Sequence, residues 1–198
     1  YINTTNIIYN EDKNIVELAD NSKINIDNTN ILIDRGIIDY EKDKVEVFGN
    51  FYLYQDLNIL SGKDLVGNTS LNNFSAFDVS YIYNNDLKID SDSSERSGNI
   101  IYFYNNFLTP CELEGYFGCP TWSLRIDETK YDVDKDKFVH FDTFLQIADY
   151  KLFYLPYFSH YGVKAPRQRG FLTPTLEFAI GGNSGIYTPY YIPITEST

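Results

Sequence analysis

Apolar residues in this chain return at every second position, again and again, in segments bounded by polar clusters. In Val45-Glu46-Val47-Phe48-Gly49-Asn50-Phe51-Tyr52-Leu53, positions 45, 47, 51 and 53 fall on one side of an extended backbone, because successive side chains of a strand point to opposite faces. The same period couples Val16 with Leu18, Ile24 with Ile26, Ile31 with Ile33, and Leu87 with Ile89. Asn, Asp, Ser or Lys clusters that favour turns flank each set. Long helical periodicity is absent, and aromatics make up 17% of the chain, with 18 Tyr and 14 Phe. Rings of this kind suit half-buried pleated surfaces. Short antiparallel strands joined by polar loops are what such a pattern builds.

A weak internal repeat sharpens this. Tyr9 to Leu18 aligns with Tyr40 to Val47 after one deletion, and Tyr131 to Val139 is a further copy. Each unit is an aromatic strand end, an acidic turn containing Lys, then an alternating strand. One such hairpin cannot cover its own apolar face, so successive units must stack or curl around a shared interior. Asn84-Asn85-Asp86 and Ser91-Asp92-Ser93-Ser94-Glu95 read as turns that extend the pattern through the middle. Residues 1 to about 160 are therefore expected to form one all-β domain, a sandwich, jelly roll or similar stack of antiparallel strands.

Past Pro166 the pattern changes. Leu176, Phe178 and Ile180 alternate with Thr175, Glu177 and Ala179; Gly181 to Gly185 make a flexible turn, and Ile186, Tyr190, Ile192 and Ile194 resume beyond it. This is a hairpin. It reads either as a surface hairpin of the same domain or as an outer-membrane barrel strand pair with Tyr at its end. The chain has no Met and starts at Tyr1, and is expected to be part of something longer.

Charge and motif content narrow the function. The 16 Lys and Arg face 28 Asp and Glu, a formal charge of −12, which disfavours nucleic acid and anionic surfaces as partners. No window approaches the roughly 18 to 20 apolar residues of a spanning helix, so membrane contact would be made by strands. No Gly-rich phosphate loop and no nucleophile elbow is present, and no cofactor is expected. His140 alternates with apolar neighbours as a strand residue does, and His160 beside Ser159 lacks triad spacing. Cys111 and Cys119 with two distant histidines lack zinc spacing. Their plainest reading is a local disulfide. Asp132, Asp134, Asp136, Asp90 and Asp92 read as solvated turns rather than a calcium site. Lys164, Arg167 and Arg169 form a basic group that is unusual in so acidic a chain.

Several segments occur in an order that resembles one family. Asn105 to Cys111 is followed by Cys119-Pro120-Thr121-Trp122-Ser123-Leu124, then Leu155-Pro156-Tyr157-Phe158, Arg167 to Pro174, and Thr188-Pro189-Tyr190-Tyr191. This order is similar to that of the LptD family of outer-membrane lipopolysaccharide-assembly proteins. The departures are Gln168-Arg169-Gly170 where Arg-Ser-Gly is common, and Ile192 where an aromatic is frequent.

The resemblance implies an OstA-like β-jelly roll at residues 1–165, mainly periplasmic, and a connector with the first, incomplete hairpin of an outer-membrane β-barrel at 166–198. It implies transport of lipopolysaccharide without catalysis. The lipid would arrive from an LptA-like bridge protein by strand addition and pass to a barrel that holds an LptE-like plug lipoprotein. It also implies that Cys111 pairs with a cysteine of the distal barrel, with Cys119 as a closer partner. The interior candidates for fatty chains are Val16, Leu18, Ile24, Ile26, Ile31, Ile33, Val45, Val47, Phe51, Leu53, Leu87 and Ile89. Taken singly, each equally fits an ordinary closed core. A soluble bridge protein of the same pathway and a glycan-binding sandwich using Trp122 are the alternatives.

Overall fold

Alternation in the sequence becomes strand in the structure, and most of the polar clusters become turns. The computed structural model describes residues 2–3, 6–10, 14–19, 21–26, 29–109, 122–147 and 150–165, with short stretches at 170–171, 175–177, 185–187 and 190–192. Helix is absent among the described residues. Four short strands come first: β1 (Ile2–Asn3), β2 (Asn6–Asn10), β3 (Ile15–Ala19) and β4 (Ser22–Ile26). Nine long ones follow: β5 (Thr29–Asp39), β6 (Lys44–Gln55), β7 (Asn58–Gly67), β8 (Asn73–Tyr83), β9 (Leu87–Ser97), β10 (Ile100–Thr109), β11 (Trp122–Asp132), β12 (Lys137–Ile147) and β13 (Tyr150–Tyr161). All thirteen form one sheet, and from β5 to β13 each strand pairs with its sequence neighbour in antiparallel register.

The sheet is creased across its middle. In β8 the inward residues are Ala76 and then Val79; in β9 Ser91 and Ser94; in β10 Phe103 and Asn106; in β11 Ile126 and Thr129; in β12 His140 and Thr143. Inward neighbours are thus three apart where a flat strand would put them two apart. The residues at the slip line up across the sheet, because the registers place Asp78, Asp92, Asn105, Asp127 and Asp142 opposite one another. Asp64, Asp78, Asn105 and Asp142 have positive φ, as does Gly49 at 85°. Asp and Asn tolerate this region better than most residues. Crease carboxylates also satisfy freed backbone donors: Asn50 N–H donates to Asp34 at 2.8 Å and Gly49 N–H to Asp64 at 2.9 Å.

The crease folds one sheet into two facing halves. Tyr81 and Tyr83, on one side of it, pack against Phe103, Tyr131 and Phe138 from the other, Tyr81 stacking on Phe103 and Tyr83 meeting Tyr131 and Phe138 edge-on, with ring centroids 5.3–6.0 Å apart. At the amino end the halves separate: β5 pairs with β4 through its first half and with β3 through its second. β1 and β2 then form separate outer edges. The result is an open gutter of jelly-roll type.

The Ser91 to Glu95 cluster is strand, not turn. It lies inside β9, with Ser91 and Ser94 buried, and its polarity reflects the crease beside it. The hairpin after Pro166 is present. β14 (Gly170–Phe171) pairs with β17 (Tyr190–Tyr191), and β15 (Thr175–Glu177) with β16 (Gly185–Tyr187), Leu176 facing Ile186. Its strands do not join the main sheet.

Candidate functional site

The two halves enclose an apolar cavity of about 210 Å³ near the amino end. Leu18, Ile24, Ile31, Ile33, Val45, Val47, Phe51 and Leu53 from the sequence candidates all line it. Val16 is buried beside them but outside the lining, and Leu87 and Ile89 belong to the core further along the sheet. Ile26 lies in β4, with its side chain outside the described residues. Ile37, Ile38, Leu65 and Leu71 add to the wall, with Tyr40, Asn25 and Thr69 as its polar members. The sequence signal for Leu65 was hidden because Asp64 at the crease shifts the alternation by one.

A second cavity of about 490 Å³ opens at the mouth, where the strand ends of the two halves face each other. It shares Ile31, Leu53 and Leu71 with the first, so the two adjoin. Its wall adds Thr29, Gln55, Asn58, Asn72 and Arg96. The interior therefore grades from aliphatic depth to polar rim.

Towards the carboxyl end the interior becomes polar and is closed off. Asn106 Nδ2 donates to Phe103 O at 3.0 Å, and the Thr129 hydroxyl donates to Asn106 Oδ1 at 2.8 Å. Because the hydroxyl proton is committed there, His140 Nδ1, 2.9 Å from Thr129 Oγ1, must be the donor in that contact. His140 Nε2 is then a bare acceptor, buried without a partner. His140 and His160, far apart in sequence, stack 5.2 Å apart between Phe138 and Phe158. Burial first, and then His160, hold the His140 imidazole well below its ordinary value; burial also lowers His160.

Asp136 corrects the solvated-turn reading. It is buried at the tip of the β11–β12 turn and accepts from Tyr83 Oη at 2.8 Å, Tyr131 Oη at 3.0 Å and Lys164 N–H at 2.7 Å. Val163 N–H donates to Tyr83 Oη at 2.9 Å, and Lys164 Nζ pairs with Asp56 at 3.1 Å. Residues 162–164 thus clasp the ends of both halves. Burial, reinforced by Asp136, pushes the Tyr83 phenol up to about 12, and raises Tyr131 as well. Asp132 remains a surface residue, paired with Lys135 at 2.8 Å. Among the described residues no group of three or more His, Cys, Asp or Glu is placed to hold a metal. Cys111, Cys119, Arg167 and Arg169 lie outside the described residues, as does the side chain of Trp122.

Fold and interior together define a creased, jelly-roll-type β-gutter with internal cavities between its two halves. No family model matches the chain. Over 168 residues the chain is 23% identical to the LPS-assembly protein LptD of Shewanella frigidimarina (strain NCIMB 400), a match that covers 81% of this chain and 21% of that protein. The chain thus spans about a fifth of the length of that curated relative.

Proposed function

We propose that this chain is a lipopolysaccharide-carrying domain at the periplasmic side of the outer membrane, working without a covalent step. The observation that carries the reading is the largely apolar cavity adjoining a more polar mouth, in a chain similar to an LPS-assembly protein. Each methylene moved from water into such an interior contributes about 0.8 kcal/mol, so several acyl chains supply the affinity. The lipid enters from a bridge protein added at an amino-terminal edge, where β2 is an outermost strand among the described residues and Ile8 and Tyr9 are exposed. It leaves towards a barrel of which the 170–191 hairpin is the beginning, the barrel holding a plug lipoprotein.

A photo-crosslinking residue placed at Val47 or Leu53 in cells is expected to capture lipopolysaccharide, while one at the outward-facing Phe77 is not. Labelling from Val47 and Leu53 confined to neighbouring protein would overturn the proposal.

A further inference from the structure

Arg96 is out of keeping with its surroundings. It lies on the inward row of β9, in register with the buried residues Phe74 and Ile101. Among the described residues it is the one charged residue in the wall of the mouth cavity, in a chain of net charge −12. Its Nε donates to Gly98 O at 2.9 Å, which fixes the plane of the guanidinium. Among the described residues the ion pairs are made by Lys42, Lys44, Lys63, Lys88, Lys135 and Lys164, and none involves Arg96. Burial lowers its affinity for its proton without a carboxylate to compensate. A cation held among apolar residues with its terminal nitrogens uncommitted is otherwise unfavourable. An anion at the mouth makes it favourable, because a planar guanidinium matches phosphate with two parallel hydrogen bonds.

We infer that Arg96 is the headgroup-recognition residue of this cavity, holding a phosphate monoester of an acylated, phosphorylated saccharolipid whose chains occupy the aliphatic cavity behind it. This rests on the carrier reading above and adds to it the chemical feature by which the cargo is chosen. The amides of Gln55, Asn58 and Asn72 ring the same mouth and suit the sugar hydroxyls between phosphate and acyl chains. Ile31, Leu53 and Leu71 line both cavities, so a molecule seated at the mouth has the aliphatic cavity directly beside it.

The test compares binding of bisphosphorylated lipid A, its enzymatically dephosphorylated counterpart and inorganic phosphate by the full chain, read as displacement of an environment-sensitive fluorescent fatty acid. The wild type is expected to prefer the bisphosphorylated lipid by roughly ten- to hundredfold, the range for a hydrogen bond between charged groups. Arg96→Gln is expected to abolish that preference while leaving binding of the dephosphorylated lipid intact, which also shows that the variant is folded. Arg96→Lys is expected to retain part of it. Equal binding of the two lipids by the wild type, or an unchanged preference in Arg96→Gln, would overturn the role of Arg96 and leave the carrier reading standing. Displacement by inorganic phosphate alone would mark a free-anion site and overturn it too. Binding of neither lipid would remove both readings.

Discussion

The sharpest consequence of the interior concerns His140. Its Nδ1–H is spent on Thr129 and its Nε2 is buried without a partner, so a second proton would sit where no acceptor is provided. His160 stacks on it, and Asp136 favours the charged form of His160. The folded state therefore takes up the proton less readily than the unfolded chain, whose imidazole has the ordinary value of 6.5. Stability is full above that value and declines as pH falls through it towards the lowered folded value. Going from pH about 7.5 to about 5.5 raises the unfolded state's proton-binding factor about tenfold, a loss of about 1.4 kcal/mol from His140. With a urea dependence of about 2.5 kcal/mol per molar, the midpoint falls by about half a molar. The assay is urea unfolding at both pH values for the wild type and for His140→Phe, which keeps a ring between Phe138 and Phe158. The contributions of the carboxylates are common to both proteins and cancel in the difference, and His160→Phe, compared in the same way, isolates the part carried by the neighbouring ring. If wild type and variant lose the same stability on acidification, the assignment of a bare, buried Nε2 is wrong.

Other perturbations test the clasp, the cavity wall and the crease. Tyr83→Phe removes a donor to Asp136 and the acceptor for Val163 N–H, and is expected to lower stability by about 1–3 kcal/mol and speed proteolysis after Gly162, read by mass spectrometry. Phe51→Ala, at a residue 1% exposed, is expected to cost about 3–5 kcal/mol in urea unfolding. Gly49→Val places a β-branched residue at φ 85°, with its Cβ 2.7 Å from Asp34 Oδ2. It is expected to cost about 1–3 kcal/mol by the same measurement.

The period-two rows announced strands and interior, and Leu18, Ile24, Ile31, Ile33, Val47 and Phe51 lie buried along the cavity wall as their spacing indicates. The crease was not legible, for a physical reason. Asp78, Asn105 and Asp142 adopt mid-strand the positive φ that such residues adopt at chain reversals, and Asp92 and Asp127 lie in register with them, so a single sequence presents all five as breaks. The Ser91 to Glu95 cluster was misread on this ground. Asp136 was hidden differently: Lys135 and Lys137 beside it look solvated, and its partners Tyr83 and Lys164 come from distant positions. The stacking of His140 on His160 likewise depends on the β12–β13 register, which pairs His140 with Phe158 and Phe138 with His160. Arg96 followed the alternation of β9 unnoticed because a cation on an inward row looks like one on the outside until the phase slip at Asp92 is counted.

The line of bent residues running through every long strand works like the spine of a book. Hydrogen-bonded ladders run within each cover and continue past the spine, so parting the covers strains a few torsion angles per strand and leaves the backbone pairing in place. What resists gaping is side-chain adhesion between the covers and the stitch of residues 162–164 at one end. A bulky guest can therefore be admitted from the fore-edge while the binding stays whole.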